Sequence, residues 1–298
     1  MKKILIFALL VAFAEGVEGQ VNYARQYELL SGTKNKEMLY SLLDEWERAE
    51  PQNTTMLVAQ FNRHANAIVS KTMGVSEELP AGVSNPMALT DSLGNTAGYL
   101  YEYYITSDSV LSVAIDYIDR AIEFSPERAD LRMGRISAYW IAGNNYLDKY
   151  ISEIESLLGD LADKKRRWLY GPTDTISREE IVDAVQDYCA QLFSLCSDEG
   201  NAAVESISKR VLTLFPKNSA AHSNLGSVAS RRGELKLAEK EYRKGLRLSP
   251  DDTVILRNLA IVCKKESKTA DSAKYIARLK EVGNDDDRAW AAKFEQQK

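Results

Sequence analysis

The side chains able to do acid-base, nucleophilic or metal chemistry are few and scattered. The two histidines, His64 and His222, lie 158 residues apart, and neither has cysteines or carboxylates at ligand spacing, so no metal site is expected. Cys189 and Cys196 sit seven residues apart on one predicted helix, a rise of about 10.5 Å, whereas a disulfide tolerates only about 7 Å between Cα atoms. They cannot pair while that helix is intact. Cys263 falls on the apolar face of its own helix, and free, buried thiols are expected for all three. The carboxylate pairs Glu153 and Glu155, and Glu179 and Glu180, are one or two positions apart on predicted helices, do not face each other and read as solvated surface. No glycine-rich phosphate loop, His-Glu-x-x-His or Gly-x-Ser-x-Gly occurs. An enzyme is therefore not expected, and no cofactor is implied. The run Lys164-Lys165-Arg166-Arg167 beside Trp168 and Tyr170 superficially suggests nucleic acid. It is one basic tetrapeptide in a chain of net charge −5, which argues against that partner.

The chain is instead organised to build surface. In AHSNLGSVASRRGELKLAEKEYRKGLRLSPDD, residues 221–252, apolar and small residues recur at three- and four-residue spacing on both sides of Gly233. Gly233 can take the left-handed conformation that ends a helix, and Pro250 cannot continue one. The segment is a helix hairpin with a programmed stop. Gly226 and Ala238 are small where two backbones must approach, and Leu225 and Tyr242 fill the space beside them. A hairpin this short cannot bury both faces alone, so it needs neighbours.

Asn224, Leu225, Gly226, Gly233, Ala238, Tyr242, Gly245 and Pro250 resemble the 34-residue unit of the tetratricopeptide repeat family. Two positions depart from it: His222 stands where an aromatic is usual and Gly245 where the family prefers Ala. Pro216 lies 34 residues before Pro250, each closing an apolar run. A weaker copy follows, with Asn258 to Ala260 and Ala273 in register and Gly283 replacing the closing proline. Residues 286–297 carry Trp290 and Phe294 on one side and read as a solubilising cap.

The resemblance implies an all-α fold, a right-handed α-solenoid of tetratricopeptide-like helix hairpins with a small β-hairpin insertion. Six hairpins are expected, at roughly 22–50, 54–124 with an insertion, 129–161, 177–216, 219–250 and 253–282. In domain terms, 1–19 is a signal peptide, 20–161 holds the N-terminal hairpins with the insertion at 74–104, 162–176 is a linker packed by Trp168, and 177–298 holds the C-terminal repeats and capping helix. Ser177 with Glu180 predicts a capped helix start after the linker. Within the insertion, Pro80, Pro86 and four glycines forbid a continuous helix, and the alternation around Leu93-Gly94-Asn95 suggests a β-hairpin over about 87–103. The alternative is a loop leading into one long helix over 97–124. Tyr99, Tyr101, Tyr103 and Tyr104 either offer an edge to a partner strand or pack back onto the core.

The N-terminus MKKILIFALLVAFAEGVEGQ has two lysines, ten apolar residues from Ile4 to Phe13 and then small residues, the pattern of a secretory signal of bacterial type cleaved after Ala14 or Gly19. It is too short to span a bilayer, and no cysteine near either position suggests a lipid anchor. A periplasmic or secreted chain is the expectation. Charge is polarised along it: residues 199–298 hold 20 Lys and Arg against 14 Asp and Glu, a net +6, while residues 20–198 hold 16 against 27, a net −11.

By resemblance, the first helix of each hairpin lines a groove suited to an extended peptide or partner helix. Groove positions fall on Ser223, Asn224, Ser227, Ser230, Arg231, Arg257, Asn258, Ile261 and Lys264. Arg257 can grip a carboxylate bidentately, Asn224 and Asn258 can hold peptide backbone, and Arg231 and Lys264 add attraction. The expected function is a periplasmic protein–protein interaction scaffold binding a peptide or partner protein, with an acidic or C-terminal segment as ligand and envelope assembly as the setting. The alternative is a glycan- or nutrient-capture accessory protein of the cell envelope.

Overall fold

The computed structural model describes residues 21–81, 83 and 86–296. The predicted signal segment lies outside the described residues. The described residues fall into two compact units, 21–67 with Ser109–Ser125, and Ile68–Asp108 with 126–296.

The first unit is helical: α1 (Tyr23–Ser31), α2 (Lys36–Ala49), α3 (Thr54–Ala65) and nearly all of α4 (Asp108–Phe124). Asn22, Asn35 and Asn53 each precede a helix, and each side chain accepts a backbone N–H of the first turn. Leu43, Trp46, Met56, Leu57, Ala114 and Ile118 form its buried interior. Glu47 joins three elements there. Its carboxylate accepts from buried Gln60 at 3.0 Å and from the Tyr117 hydroxyl at 2.8 Å, and Arg120 lies 3.6 Å away. Burial, reinforced by the Glu47 bond, pushes the Tyr117 phenol up to about 12.

The second unit opens with a three-stranded antiparallel sheet, β1 (Val69–Ser76), β2 (Met87–Thr90) and β3 (Thr96–Thr106), in the order β1–β3–β2. Two expectations change here. The tyrosine-bearing segment is strand through Thr106 and helix from Asp108, which excludes one continuous helix over 97–124. Strand structure is also not confined to the hairpin expected over 87–103. The strand β1 lies outside that range, and its sequence does not announce it, because Ser70, Thr72 and Gly74 alternating with Lys71, Met73 and Val75 give no clean polar–apolar period. Of the tyrosines, Tyr99 lies where β3 is paired on both sides, whereas Tyr101, Tyr103 and Tyr104 pair with β1 alone and, among the described residues, have no strand on the β2 side.

Four helix pairs and a terminal helix follow: α5 (Ala129–Ala142) with α6 (Leu147–Asp160), α7 (Arg178–Ser194) with α8 (Asp198–Leu214), α9 (Ser219–Arg231) with α10 (Leu235–Leu248), α11 (Thr253–Lys265) with α12 (Thr269–Val282), and α13 (Asp285–Gln296). Between α6 and α7, Trp168–Tyr170 (β4) and Asp174–Ile176 (β5) form a two-stranded ribbon in place of a simple linker. Trp168 is buried, with the guanidinium of Arg166 4.3 Å and that of Arg132 5.7 Å from its ring centre. Arg166 of the basic tetrapeptide thus packs on Trp168. Ser177 caps α7 through a reciprocal box with Glu180, as its spacing predicts.

The 34-residue register is visible in the backbone. α9 and α11 are each 13 residues long and start 34 apart, and α10 and α12 are each 14 residues long and start 34 apart. Gly233 takes a positive φ of 78° between α9 and α10, and Ser267, 34 residues on, takes 62° at the equivalent turn. Gly245 is small because a Cβ there would stand 2.8 Å from Ile255 Cδ1 and 3.1 Å from the Ser219 carbonyl oxygen. The fold is therefore an all-α solenoid of helix hairpins carrying a small β insertion.

Candidate docking site

The groove positions read from the sequence are largely engaged within the chain. Ser223 is buried. Asn224 donates to the Gln186 side chain at 2.7 Å, joining α9 to α7, and the Ser227 hydroxyl lies 3.0 Å from the Tyr242 hydroxyl. Arg231 donates to the Phe193 carbonyl at 3.2 Å and lies over that ring at 4.7 Å. Arg257 pairs with Asp287 at 2.5 Å and lies 5.2 Å from the Trp290 ring centre. Lys264 stands 4.6 Å over the Phe294 ring. Ser230, Asn258 and Ile261 are half-buried. The cations at these positions therefore tie one first helix to the next, laid along an aromatic ring that holds them by cation–π attraction. Arg257 does grip a carboxylate, but that carboxylate belongs to the terminal helix.

A different set of residues converges on the second helices. Arg243, Arg247, Lys274 and Arg278 rim an open cleft of about 600 Å³ whose floor is Leu246, Pro250, Leu256 and Tyr275. The rim is built by helical period: Arg243 and Arg247 are one turn apart on α10, Lys274 and Arg278 one turn apart on α12. Tyr275 lies beneath Arg243, 5.8 Å from guanidinium to ring centre. Three of the four cations also touch carboxylates: Arg243 contacts Glu239 at 2.7 Å, Lys274 contacts Asp271 at 3.3 Å, and Arg278 contacts Glu281 at 2.6 Å and, more closely, Asp251. Arg247 is exposed and has no ion pair among the described residues. The i, i+4 spacing of these cations is the signal that the sequence carries for them. Their convergence over one apolar floor is not in the sequence, because it depends on how α10 and α12 pack.

The remaining chemistry-bearing groups are structural. His222 Nδ1 lies 2.8 Å from Glu241, at the position where the family usually carries an aromatic. Cys189 and Cys263 are buried, and burial pushes their thiols up to about 12 and about 11. Cys196 departs from the expected burial. It is exposed, because it lies beyond the end of α7 with a positive φ of 50°, turned away from the helix's apolar face. A narrower cleft of about 230 Å³ lies among Tyr139, Trp140, Gly143, Asn144, Leu147, Tyr150 and Leu195.

No protein-family model matches the sequence, and no curated protein is significantly similar to it. Among solved structures it is similar to PilW, described as a widely conserved type IV pilus biogenesis factor, at 11% identity over 87% of this chain and 91% of that one, with a TM-score of 0.41. It is similar to YrrB, described as a TPR protein with an unusual peptide-binding site, at 14% identity over 63% and 84%, with a TM-score of 0.41. It is also similar to pilF of Pseudomonas aeruginosa, at 16% identity over 63% and 83%, with a TM-score of 0.39. By its own 34-residue register, matched helix lengths and left-handed mid-hairpin turns, the C-terminal part of the chain is built of tetratricopeptide-type repeats.

Proposed function

We propose that the chain is a non-catalytic docking scaffold that holds an acidic or carboxylate-ending segment of a partner protein against its basic C-terminal repeats. The observation that carries this reading is the cleft between α10 and α12, where an apolar floor lies under four convergent cations. Such a floor takes an apolar anchor side chain, and the rim selects neighbouring carboxylates and steers them in. The net +6 of residues 199–298 adds attraction at longer range. The positions Asn224, Asn258, Ser223, Ser227, Arg231, Arg257 and Lys264 would serve as a second surface for the same ligand by exchanging the contacts within the chain described above, a reading favoured by the recurrence of asparagine at a 34-residue interval.

A labelled peptide rich in glutamate with one leucine anchor, titrated by fluorescence anisotropy, tests this. Binding should weaken as salt rises, and Arg247→Glu with Lys274→Glu should weaken it at least tenfold, about 1.4 kcal/mol. If that variant binds normally while Arg231→Ala with Asn258→Ala does not, the groove is the site. Binding indifferent to salt and to both variants contradicts the reading.

The lysines and apolar run of residues 2–13 support an exported chain serving the cell envelope, and no helix among the described residues is long and apolar enough to cross a membrane. Fractionation of the native protein tests that placement. One observation favours glycan capture as a second reading. The narrower cleft is walled by the half-buried Tyr139 and Trp140, rings of the kind on which sugars stack. A shift of melting temperature with oligosaccharides, lost in Tyr139→Ala, would support it.

A further inference from the structure

Among the described residues the sheet leaves free edges along β1, along β2, and on the side of β3 over 101–106 that the short β2 does not reach. β2 is four residues long and follows Pro86, which blunts it. β1 is unprotected: eight residues without proline, paired with β3 in unbroken register from Val69–Thr106 to Ser76–Tyr99. The Ser107 N–H donates to the Ile68 carbonyl at 2.9 Å, which fixes the alternation of the ladder. Even-numbered residues of β1 exchange bonds with β3, and the N–H and C=O groups of Val69, Lys71, Met73 and Val75 point outward. The side chains of those same residues share one face of the sheet, where Met73 is 53% and Val75 67% exposed.

We propose that β1 pairs antiparallel with β1 of a second copy of this chain about a two-fold axis through Met73, joining two three-stranded sheets into one. In this register every outward main-chain group of the edge meets a complementary one. Met73 faces itself and Lys71 faces Val75, and Val69 faces Glu77, the residue that follows the end of β1. Charge selects a second copy as occupant. With the pairing extended by one residue past β1, Lys71 of one copy and Glu77 of the other become diagonal neighbours on the same face, about 7–8 Å apart between Cα atoms and within reach of both side chains. Lys71 also contacts Glu102 of its own β3, so each lysine stands between two carboxylates. The two-fold axis supplies the intermolecular pair twice, and no like charges oppose each other. Val75 packs on the Lys71 stem and on Met73 of the second copy.

Sedimentation of the full chain through the micromolar range should show a reversible monomer–dimer equilibrium. Met73→Lys puts two like charges on the axis and should raise the dimer Kd at least tenfold with the helical circular dichroism and melting temperature unchanged, since the side chain is exposed. Lys71→Glu and Glu77→Lys should each weaken the dimer several-fold, and the two together should restore it. Opposed residues of a hydrogen-bonded antiparallel pair have Cα atoms about 5.5 Å apart, within disulfide range. Met73→Cys in a Cys196→Ser background should therefore cross-link two copies on mild oxidation, which tests the geometry even if Met73→Lys disturbs folding. A chain monomeric throughout, its edge left to solvent or to another protein's strand, overturns the proposal. So does a dimer that persists in Met73→Lys, or one in which Met73→Cys does not cross-link.

Discussion

Gly226 on α9 faces the ring of Tyr242 on α10 so closely that a Cβ on Gly226 would stand 2.6 Å from Tyr242 Cδ1 and 2.9 Å from Cγ. The ring is 2% exposed and its hydroxyl reaches Ser227. It cannot swing aside, so the hairpin depends on the absence of one methyl group. Gly226→Ala should cost about 1–3 kcal/mol by overpacking, and Tyr242→Ala about 3–5 kcal/mol by leaving a cavity. Chemical denaturation measures both. A loss under about 1 kcal/mol for Tyr242→Ala would mean the hairpin is not held by this contact.

Ser267 takes the left-handed conformation that glycine takes at Gly233 in the preceding repeat. For a residue with a Cβ that conformation costs about 1–2 kcal/mol, a difference partly offset in glycine by the larger entropy it loses on folding. Ser267→Gly should therefore raise stability by about 0.5–1 kcal/mol, and Gly233→Ser should lower it. Thermal melts of the two variants, moving in opposite directions, check the equivalence of the turns.

The hairpins from residue 177 onward are legible because each level of the sequence agrees there: Gly226 with Tyr242, Gly233 at the turn, Ser177 with Glu180 at a cap, Pro216 and Pro250 at the stops. β1 and the β4–β5 ribbon are not. Val69 opposes Thr106, a partner far along the chain, and β4 is a three-residue strand bracketed by the basic run and Gly171. The candidate site divides the same way. Period alone places Arg231, Arg257 and Lys264 on first helices, but it does not show that Phe193, Asp287 and Phe294 arrive to occupy them.

The Arg257–Asp287 pair bears directly on that point. The Asp287 side chain is 7% exposed, and its other oxygen accepts the Asn284 N–H at 3.1 Å. Arg257→Ala leaves a buried carboxylate with only its bond from the Asn284 N–H and should cost about 1–3 kcal/mol, discounted from a fully buried pair because Arg257 itself is 31% exposed. Arg257→Ala with Asp287→Ala should recover part of the loss. A melting temperature unaffected by Arg257→Ala would show that α13 docks without this pair.

Acid should destabilise the C-terminal repeats in a defined window. Burial alone would raise the Glu241 carboxyl, but bonds from Lys244 and His222 outweigh it and hold the group below its ordinary 4.5. Glu205 is likewise held low by Lys209 and Arg232. A carboxyl depressed in the folded state contributes stability that is complete above its unfolded value and lost as pH falls through the folded value. Melting temperature should hold down to about pH 5 and decline below about 4.5. Glu241→Gln should lower the plateau and flatten the decline. An equally steep decline in that variant would place the acid sensitivity elsewhere.

Photo-crosslinking in the native host locates the docking surface whatever the identity of the partner. A benzophenone amino acid at Tyr275 samples the cleft between α10 and α12, one at Ser227 samples the groove, and one at exposed Lys149 on α6 serves as control. A discrete adduct from Tyr275, abolished by Arg247→Glu with Lys274→Glu and absent from Lys149, is the result predicted. Equal adducts from all three positions, or an adduct from Ser227 alone, would contradict a docking site in the basic cleft.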